Sequence, residues 1–214
     1  MGHESYGLTW ADTSVASRGP YARSSPGEEA QYGVSPVLGL EGCTAGIYQE
    51  QIVTSSLARK VLAVARLVIG FTFVWAFVDK LFGHGFATPA ERAWVAGGTP
   101  AQGFIGGIEG PFAGFFQLFA NPFGDVLFML GLLGIGVAMM AGAGLRIAAV
   151  SGTLLMLFMY LAELPAALGG NNPIVDSHWH EALLLIIAAV TLSGDTWGLG
   201  KTWARIIGDR TWLR

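Results

Sequence analysis

Residues 126–164 read VLFMLGLLGIGVAMMAGAGLRIAAVSGTLLMLFMYLAEL, and this stretch decides the fold. Its only charged side chains are Arg146, near the middle, and Glu163, near the end. A hydrocarbon core of about 30 Å is crossed by about 20 apolar residues at about 1.5 Å rise per residue. The glycine-rich turn at 142–145 therefore separates two helices that can each cross a membrane.

Two more apolar runs lie outside this stretch, at residues 61–78 and 182–192. The last run reaches spanning length only if residues 178–181 form its first turn. The chain is 52% hydrophobic and 13% charged, whereas a soluble domain carries about 25% charged residues. The sequence predicts an all-α membrane protein, a four-transmembrane-helix bundle in contact with a lipid bilayer. No nucleic-acid partner is expected, because the basic residues are few and dispersed.

Basic residues near the helix ends predict the orientation. One face has seven cations: Arg59, Lys60, Arg146, Lys201, Arg205, Arg210 and Arg214. The other face has two cations among several acids: Lys80, Arg92, Asp79, Glu91, Glu109, Asp125 and Asp176. The positive-inside rule then places both termini in the cytoplasm of a multi-pass protein of the cell membrane.

Three segments lie outside the predicted spans. Residues 1–57 form a polar N-terminal extension without the apolar core of a signal peptide, and residues 58–200 form the membrane domain. Within the long outer segment, the apolar stretch 104–120 is interrupted at 109–111, which predicts an interfacial or re-entrant piece. Residues 201–214 predict an amphipathic C-terminal tail on the inner leaflet.

Two matching sequences precede the second and fourth spans. NPFGD occupies residues 121–125 and NPIVD occupies residues 172–176. Each predicts a proline turn followed by an acidic residue that caps or favours a helix N-terminus. The match reflects either an internal duplication or two helices with the same start signal.

The candidate functional residues are the polar side chains at the span ends. Glu163, His178, His180 and Glu181 are the candidates for catalysis, and Asp79, Lys80 and Arg66 are the candidates for substrate binding. Except for Arg66, the topology gathers them at the outer membrane boundary. His178 and Glu181 share a helix face, whereas His180 points elsewhere.

Two interpretations of these residues remain open. They form a pocket that binds a small polar head group and moves protons, or they are interfacial residues that meet water and lipid head groups. Arg66 is either functional or snorkels to the inner face. No metal is expected, because the sequence shows no third ligand beside the 178–181 cluster. A stripe of small residues, Gly134, Ala138 and Gly142, predicts helix packing.

Several motifs resemble the DoxX family of four-helix membrane proteins. They are RLVIG at 66–70, DKLF at 79–82, NP at 172–173 and WGLG at 197–200. Trp94 and GGTP at 97–100 resemble the DoxD branch, the membrane subunit of a thiosulfate:quinone oxidoreductase. The resemblance covers roughly residues 59–204.

The resemblance implies quinone-linked redox work at the outer face, with a quinone as ligand and no covalently bound cofactor. His178 or His180 with Glu181 would handle the quinone head and its protons, and Glu163 would assist. Lys80, held by Asp79, would meet an anion. The alternative hypothesis is a non-catalytic accessory subunit of a larger respiratory complex, attached to other membrane subunits through residues 1–57.

Overall fold

The computed structural model describes residues 46–164 and 174–214, and all regular structure within these ranges is helical. The prediction of an all-α chain is confirmed for these residues. Most of the predicted N-terminal extension and the Asn172-Pro173 part of the second NP motif lie outside them.

Within the described ranges, three helices are long and apolar enough to cross a membrane: α2 at Ser56–Phe82, α5 at Pro122–Ala141 and α6 at Leu145–Ala162. The Ser55 hydroxyl accepts a hydrogen bond from the Ala58 amide and caps the start of α2. Gly83 ends this helix in the left-handed conformation, with a φ of 70°. These three helices correspond to the runs predicted from residues 61–78 and 126–164.

The fourth bundle helix, α7, is shorter and covers Ser177–Val190. Its 14 residues correspond to about 21 Å at about 1.5 Å per residue. Asp176 caps its first turn by accepting a hydrogen bond from the His178 amide at 3.1 Å. Residues 178–181 therefore form the first turn of this helix, as the sequence predicted.

The four helices form an antiparallel bundle in which α2 packs mainly on α5 and α6 packs mainly on α7. We call the end where α5 and α7 begin the loop end, and the opposite end the terminal end. The core is aliphatic and aromatic, with buried side chains that include Ile69, Phe73, Leu132, Ile135, Met139, Met156 and Leu185. Many apolar side chains also face outward along α2, as is suitable for contact with lipid.

Glycines bring α2 and α5 close together, but they are not those of the predicted stripe. A Cβ on Gly136 would lie 2.7 Å from a Val74 methyl group, and one on Gly70 would lie 2.9 Å from the Met140 amide nitrogen. A Cβ on Gly134 would meet no atom within 4 Å. The stripe prediction is therefore wrong for Gly134, but close packing is confirmed at Gly142, where a Cβ would lie 2.8 Å from the Gly194 Cα and 3.2 Å from the Arg66 guanidinium carbon.

The chain between α2 and α5 forms several short helices at the loop end. They include α3 at Pro100–Ile105 and α4 at Ala113–Phe116. A second, smaller core joins this segment to α6 through Ala101, Ile105, Phe116 and Ala162.

The acidic residue of the first NP motif does not cap its own helix. Asn121 caps α5, because its side chain accepts a hydrogen bond from the Gly124 amide at 3.1 Å. Asp125 is buried and accepts hydrogen bonds from the Ala101 and Gln102 amides of α3, at 2.7 and 3.0 Å. The carboxylate therefore fixes the loop-end segment to α5, a contact that the local motif does not predict.

Residues near position 50 pack on the terminal end. The short helix α1 at Gln49–Ile52 contacts the turn that follows α7, where Asp195 accepts a hydrogen bond from the Gln49 amide at 2.9 Å. Asp195 also pairs with Arg214 at 2.7 Å, and both side chains are buried. The predicted boundary at 57/58 thus falls inside the first turn of α2, and part of the predicted extension is folded onto the bundle domain.

The C-terminal tail begins with helix α8 at Gly200–Ile207. Its Lys201 pairs with Glu50 of α1 at 2.7 Å, and the hydrogen bond from this ammonium lowers the pKa of the Glu50 carboxyl. Both side chains are nearly half-exposed, so this pair contributes little to stability.

Candidate functional site

A polar chamber lies between α2, α5, α6 and α7 at the loop end. Its volume is about 170 Å³. Lys80 enters it from α2, and His178 and Glu181 enter it from one face of α7. All three side chains are half-buried. The structure therefore brings together three of the seven residues that the sequence singled out.

The rest of the chamber wall is apolar. Phe73, Leu132, Met156 and Met159 are among the lining residues. The Lys80 ammonium lies 5.9 Å from the centre of the Phe128 ring, within the range of a cation–π contact. A molecule in this chamber would meet polar groups on one side and carbon on the other.

An apolar crevice of about 260 Å³ lies next to the chamber, between α5, α6 and the loop-end segment. It is lined almost entirely by carbon, including Phe104, Phe116 and Phe158. Phe128, Leu155 and Met159 line both the crevice and the chamber. These three side chains therefore form the boundary that the two spaces share.

Asp79 does not hold Lys80, although the two residues are adjacent in sequence. The Asp79 side chain is 1% exposed and accepts hydrogen bonds from the Phe86 and Ala87 amides, at 3.3 and 3.0 Å. The carboxylate thus secures the loop after α2, and the predicted Asp79–Lys80 pairing is wrong. Lys80 faces the chamber without a direct contact to Asp79, although the charge of this carboxylate acts on it at longer range.

Glu163 lies beside His178 at the end of α6 and outside the chamber lining. Glu163, Asp176 and His178 each offer an atom that could hold a metal ion, and these atoms all lie within 4.8 Å of one another. His178 Nδ1 lies 2.7 Å from Asp176 Oδ2. The NPIVD motif predicts Asp176 only as a cap; its position two residues before His178 is the signal in the sequence for this second contact.

His180 is exposed and contributes to neither the chamber nor this cluster. The prediction that only one histidine faces the same side as Glu181 is confirmed, and that histidine is His178.

Arg66 lies at the terminal end, about 20 Å from Asp79 along α2 by the rise of about 1.5 Å per residue. Its guanidinium is fully buried and donates hydrogen bonds to the carbonyl oxygens of Met139, Met140, Thr196 and Trp197. We call this set of contacts the Arg66 clamp. It satisfies carbonyls at the end of α5, which have no partner within the helix. The clamp connects α2, α5 and the turn after α7, and it has no contact with the polar chamber.

Trp197 in the clamp has an unusual backbone conformation, with a φ of 52°. Residues other than glycine rarely adopt this left-handed region, and doing so costs free energy. The hydrogen bond from Arg66 to the Trp197 carbonyl, at 3.0 Å, compensates by holding the turn in place. The sequence offered one signal for this role, a single arginine within the otherwise uncharged run at residues 61–78.

Comparison of the chain with family models, with curated proteins and with solved structures gives no match.

Proposed function

We propose that this chain is a DoxX/DoxD-like membrane subunit of a quinone-linked oxidoreductase, and that the polar chamber binds the quinone head. The observation that carries the proposal is the placement of Lys80, His178 and Glu181 around one small cavity with an apolar crevice beside it. The motif resemblance supports the same ligand class independently.

A quinone has two carbonyl oxygens on a flat ring and a long apolar tail. The Lys80 ammonium and the imidazole of His178 can donate hydrogen bonds to the carbonyls, while Phe128 packs against the ring. The tail fits the apolar crevice, which is continuous with the chamber wall through Phe128, Leu155 and Met159. Together the two spaces reach the range of about 300–1,000 Å³ that is typical of small-molecule sites.

The reaction at this site is the reduction of the quinone to the quinol. The quinone takes two electrons from a redox-active partner subunit and two protons from external water, and both carbonyl oxygens become hydroxyl groups. His178 and Glu181 are the chamber groups that can pass protons. The chain itself supplies binding, orientation and the proton route.

We further propose that α7 is the fourth span and that both termini lie in the cytoplasm. The terminal end then faces inward with most of the basic residues, and the chamber lies near the outer boundary. On this placement α8 lies on the inner leaflet, with Ile206 largely exposed and Lys201 and Arg205 at the head groups.

A topology reporter tests this orientation. A reporter fused after Arg214 should be cytoplasmic, and one inserted near Thr99 in the loop-end segment should be external, because the cations are concentrated at the terminal end. Labelling of single cysteines at the same positions, in a Cys43→Ser background, provides an independent check. Protection of position 99 from an external reagent would invalidate the orientation and the outer location of the chamber.

Quinone binding tests the chamber itself. Lys80→Met and Glu181→Gln should each weaken binding of a fluorescent quinone analogue to the purified chain at least about 10-fold, since each removes a polar group from a half-buried site. His178→Gln should have a similar effect. His180→Gln is the matched control on the same helix and should bind like the parent, because His180 lies outside the chamber.

Unchanged binding in all three chamber variants would contradict the quinone site. The alternative of a non-catalytic accessory subunit, attached to a larger respiratory complex through the N-terminal arm, would then be the better account of this chain.

A further inference from the structure

A second group of polar side chains lies at the loop end, beside the chamber. Glu163 is the C-terminal boundary residue of α6, whereas Asp176 and His178 belong to the start of α7. Because α6 and α7 pack against each other along the bundle, these side chains converge from two fixed elements. Neither helix alone could bring all three together.

We propose that Glu163, Asp176 and His178 bind a divalent first-row transition ion such as Zn²⁺. Carboxylate oxygens and imidazole nitrogens are both ligands of Zn²⁺, and three protein ligands leave a further position open to water. Mg²⁺ and Ca²⁺ prefer sites made of oxygen alone, so the imidazole favours a transition ion.

The distances between the donor atoms are close to those that coordination requires. Bonds of about 2.0 Å in tetrahedral geometry place ligand atoms about 3.3 Å apart. The three atoms here lie within 4.8 Å of one another. His178 Nδ1 and Asp176 Oδ2 are hydrogen-bonded at 2.7 Å, so these two atoms would move slightly apart when an ion replaces the proton between them. Glu163 is exposed, so a rotation of its side chain can close the remaining distance.

The electrostatics of the cluster also favour a cation. Within residues 46–164 and 174–214, no lysine or arginine forms an ion pair with Glu163 or Asp176. Asp176 and His178 have side chains only 16% and 13% exposed, so water screens their charges incompletely. A divalent ion would balance the two carboxylates and hold the end of α6 against the start of α7.

Binding of Co²⁺, a coloured substitute for Zn²⁺, tests the proposal on the full chain in detergent without quinone. The parent should bind one Co²⁺ per chain, give visible absorption bands of a low-coordinate site, and release the ion to Zn²⁺ but not to Mg²⁺. Glu163→Gln and Asp176→Asn should each weaken Co²⁺ binding more than about 10-fold. Both changes preserve the fold, because Glu163 is exposed and asparagine caps a helix as well as aspartate does.

Two control variants separate this site from the quinone chamber. His180→Gln removes a nearby histidine outside the cluster, and Lys80→Met changes the chamber without removing a metal ligand. Both should bind Co²⁺ like the parent. If the parent shows no saturable binding, or if Glu163→Gln and Asp176→Asn bind as tightly as the parent, then the cluster takes up an adventitious ion only and the proposal is wrong.

Discussion

Replacing Arg66 with leucine is expected to lower the free energy of unfolding by about 3–5 kcal/mol, because several buried carbonyl oxygens lose their donor and each unsatisfied buried group costs about 1–3 kcal/mol. The change removes the charged donor of four carbonyl oxygens, two at the end of α5 and two in the turn after α7. The Met139 carbonyl still accepts from the Gly142 amide, at 3.2 Å. Each hydrogen bond to a charged group contributes about 1.5–3 kcal/mol, and the contributions overlap because one side chain makes them all.

Even a conservative substitution of Arg66 should destabilise the clamp. Arg66→Lys keeps the charge but replaces a planar group with five donors by a compact ammonium with three. One ammonium cannot occupy the positions of both terminal nitrogens. We therefore expect Arg66→Lys to lower the free energy of unfolding almost as much as Arg66→Leu. Unfolding of the purified chain by SDS in mixed micelles measures both variants.

Arg59→Leu is the matched control on the same helix. Arg59 donates to the carbonyls of Val53 and Thr54, both at 2.9 Å, but it is only half-buried. Removing the Arg59 side chain should lower the free energy of unfolding by about 1 kcal/mol, the typical contribution of a solvent-accessible hydrogen-bonded group. If Arg66→Leu were no more destabilising than Arg59→Leu, the clamp would not stabilise the bundle.

Replacing Asp125 with alanine is the second large change, and we expect it to release the loop-end segment from the bundle. The buried carboxylate accepts the Ala101 and Gln102 amides and the Gln102 side-chain amide. Alanine offers no acceptor, so the amides in the first turn of α3 lose their hydrogen-bond partner. We expect the loss of these charge-assisted hydrogen bonds to lower the free energy of unfolding by about 2–4 kcal/mol. The residues of the second core, Ile105 and Phe116 among them, then lose their support.

Hydrogen exchange followed by mass spectrometry locates the effect of this change. Amides of residues 101–105 should exchange much faster in Asp125→Ala, whereas those of α2 should be affected little. Asn121→Ala is the control, since it removes a single cap of α5 and should cost about 1 kcal/mol. Parent-like protection of α3 in Asp125→Ala would show that the carboxylate does not anchor this segment.

The sequence by itself determined the helices. Apolar runs of sufficient length, the glycine-rich turn after residue 141 and the acidic cap at residue 176 are local signals, and local signals are enough to place α2, α5, α6 and the start of α7. The helical period was also enough to separate His178 from His180, because side chains three residues apart share a face and those one apart do not.

Only the tertiary structure decided what each polar side chain contacts. Asp79 and Asp125 looked like partners of their sequence neighbours, yet each accepts amides from a different part of the loop-end segment. Arg66 looked like a candidate binding residue, yet backbone carbonyls more than 70 positions away hold it. In a bundle, a buried charge is satisfied by whichever groups the helix rotations and crossings place beside it. Those rotations and crossings depend on the packing of all four helices together, and no single stretch of sequence contains them.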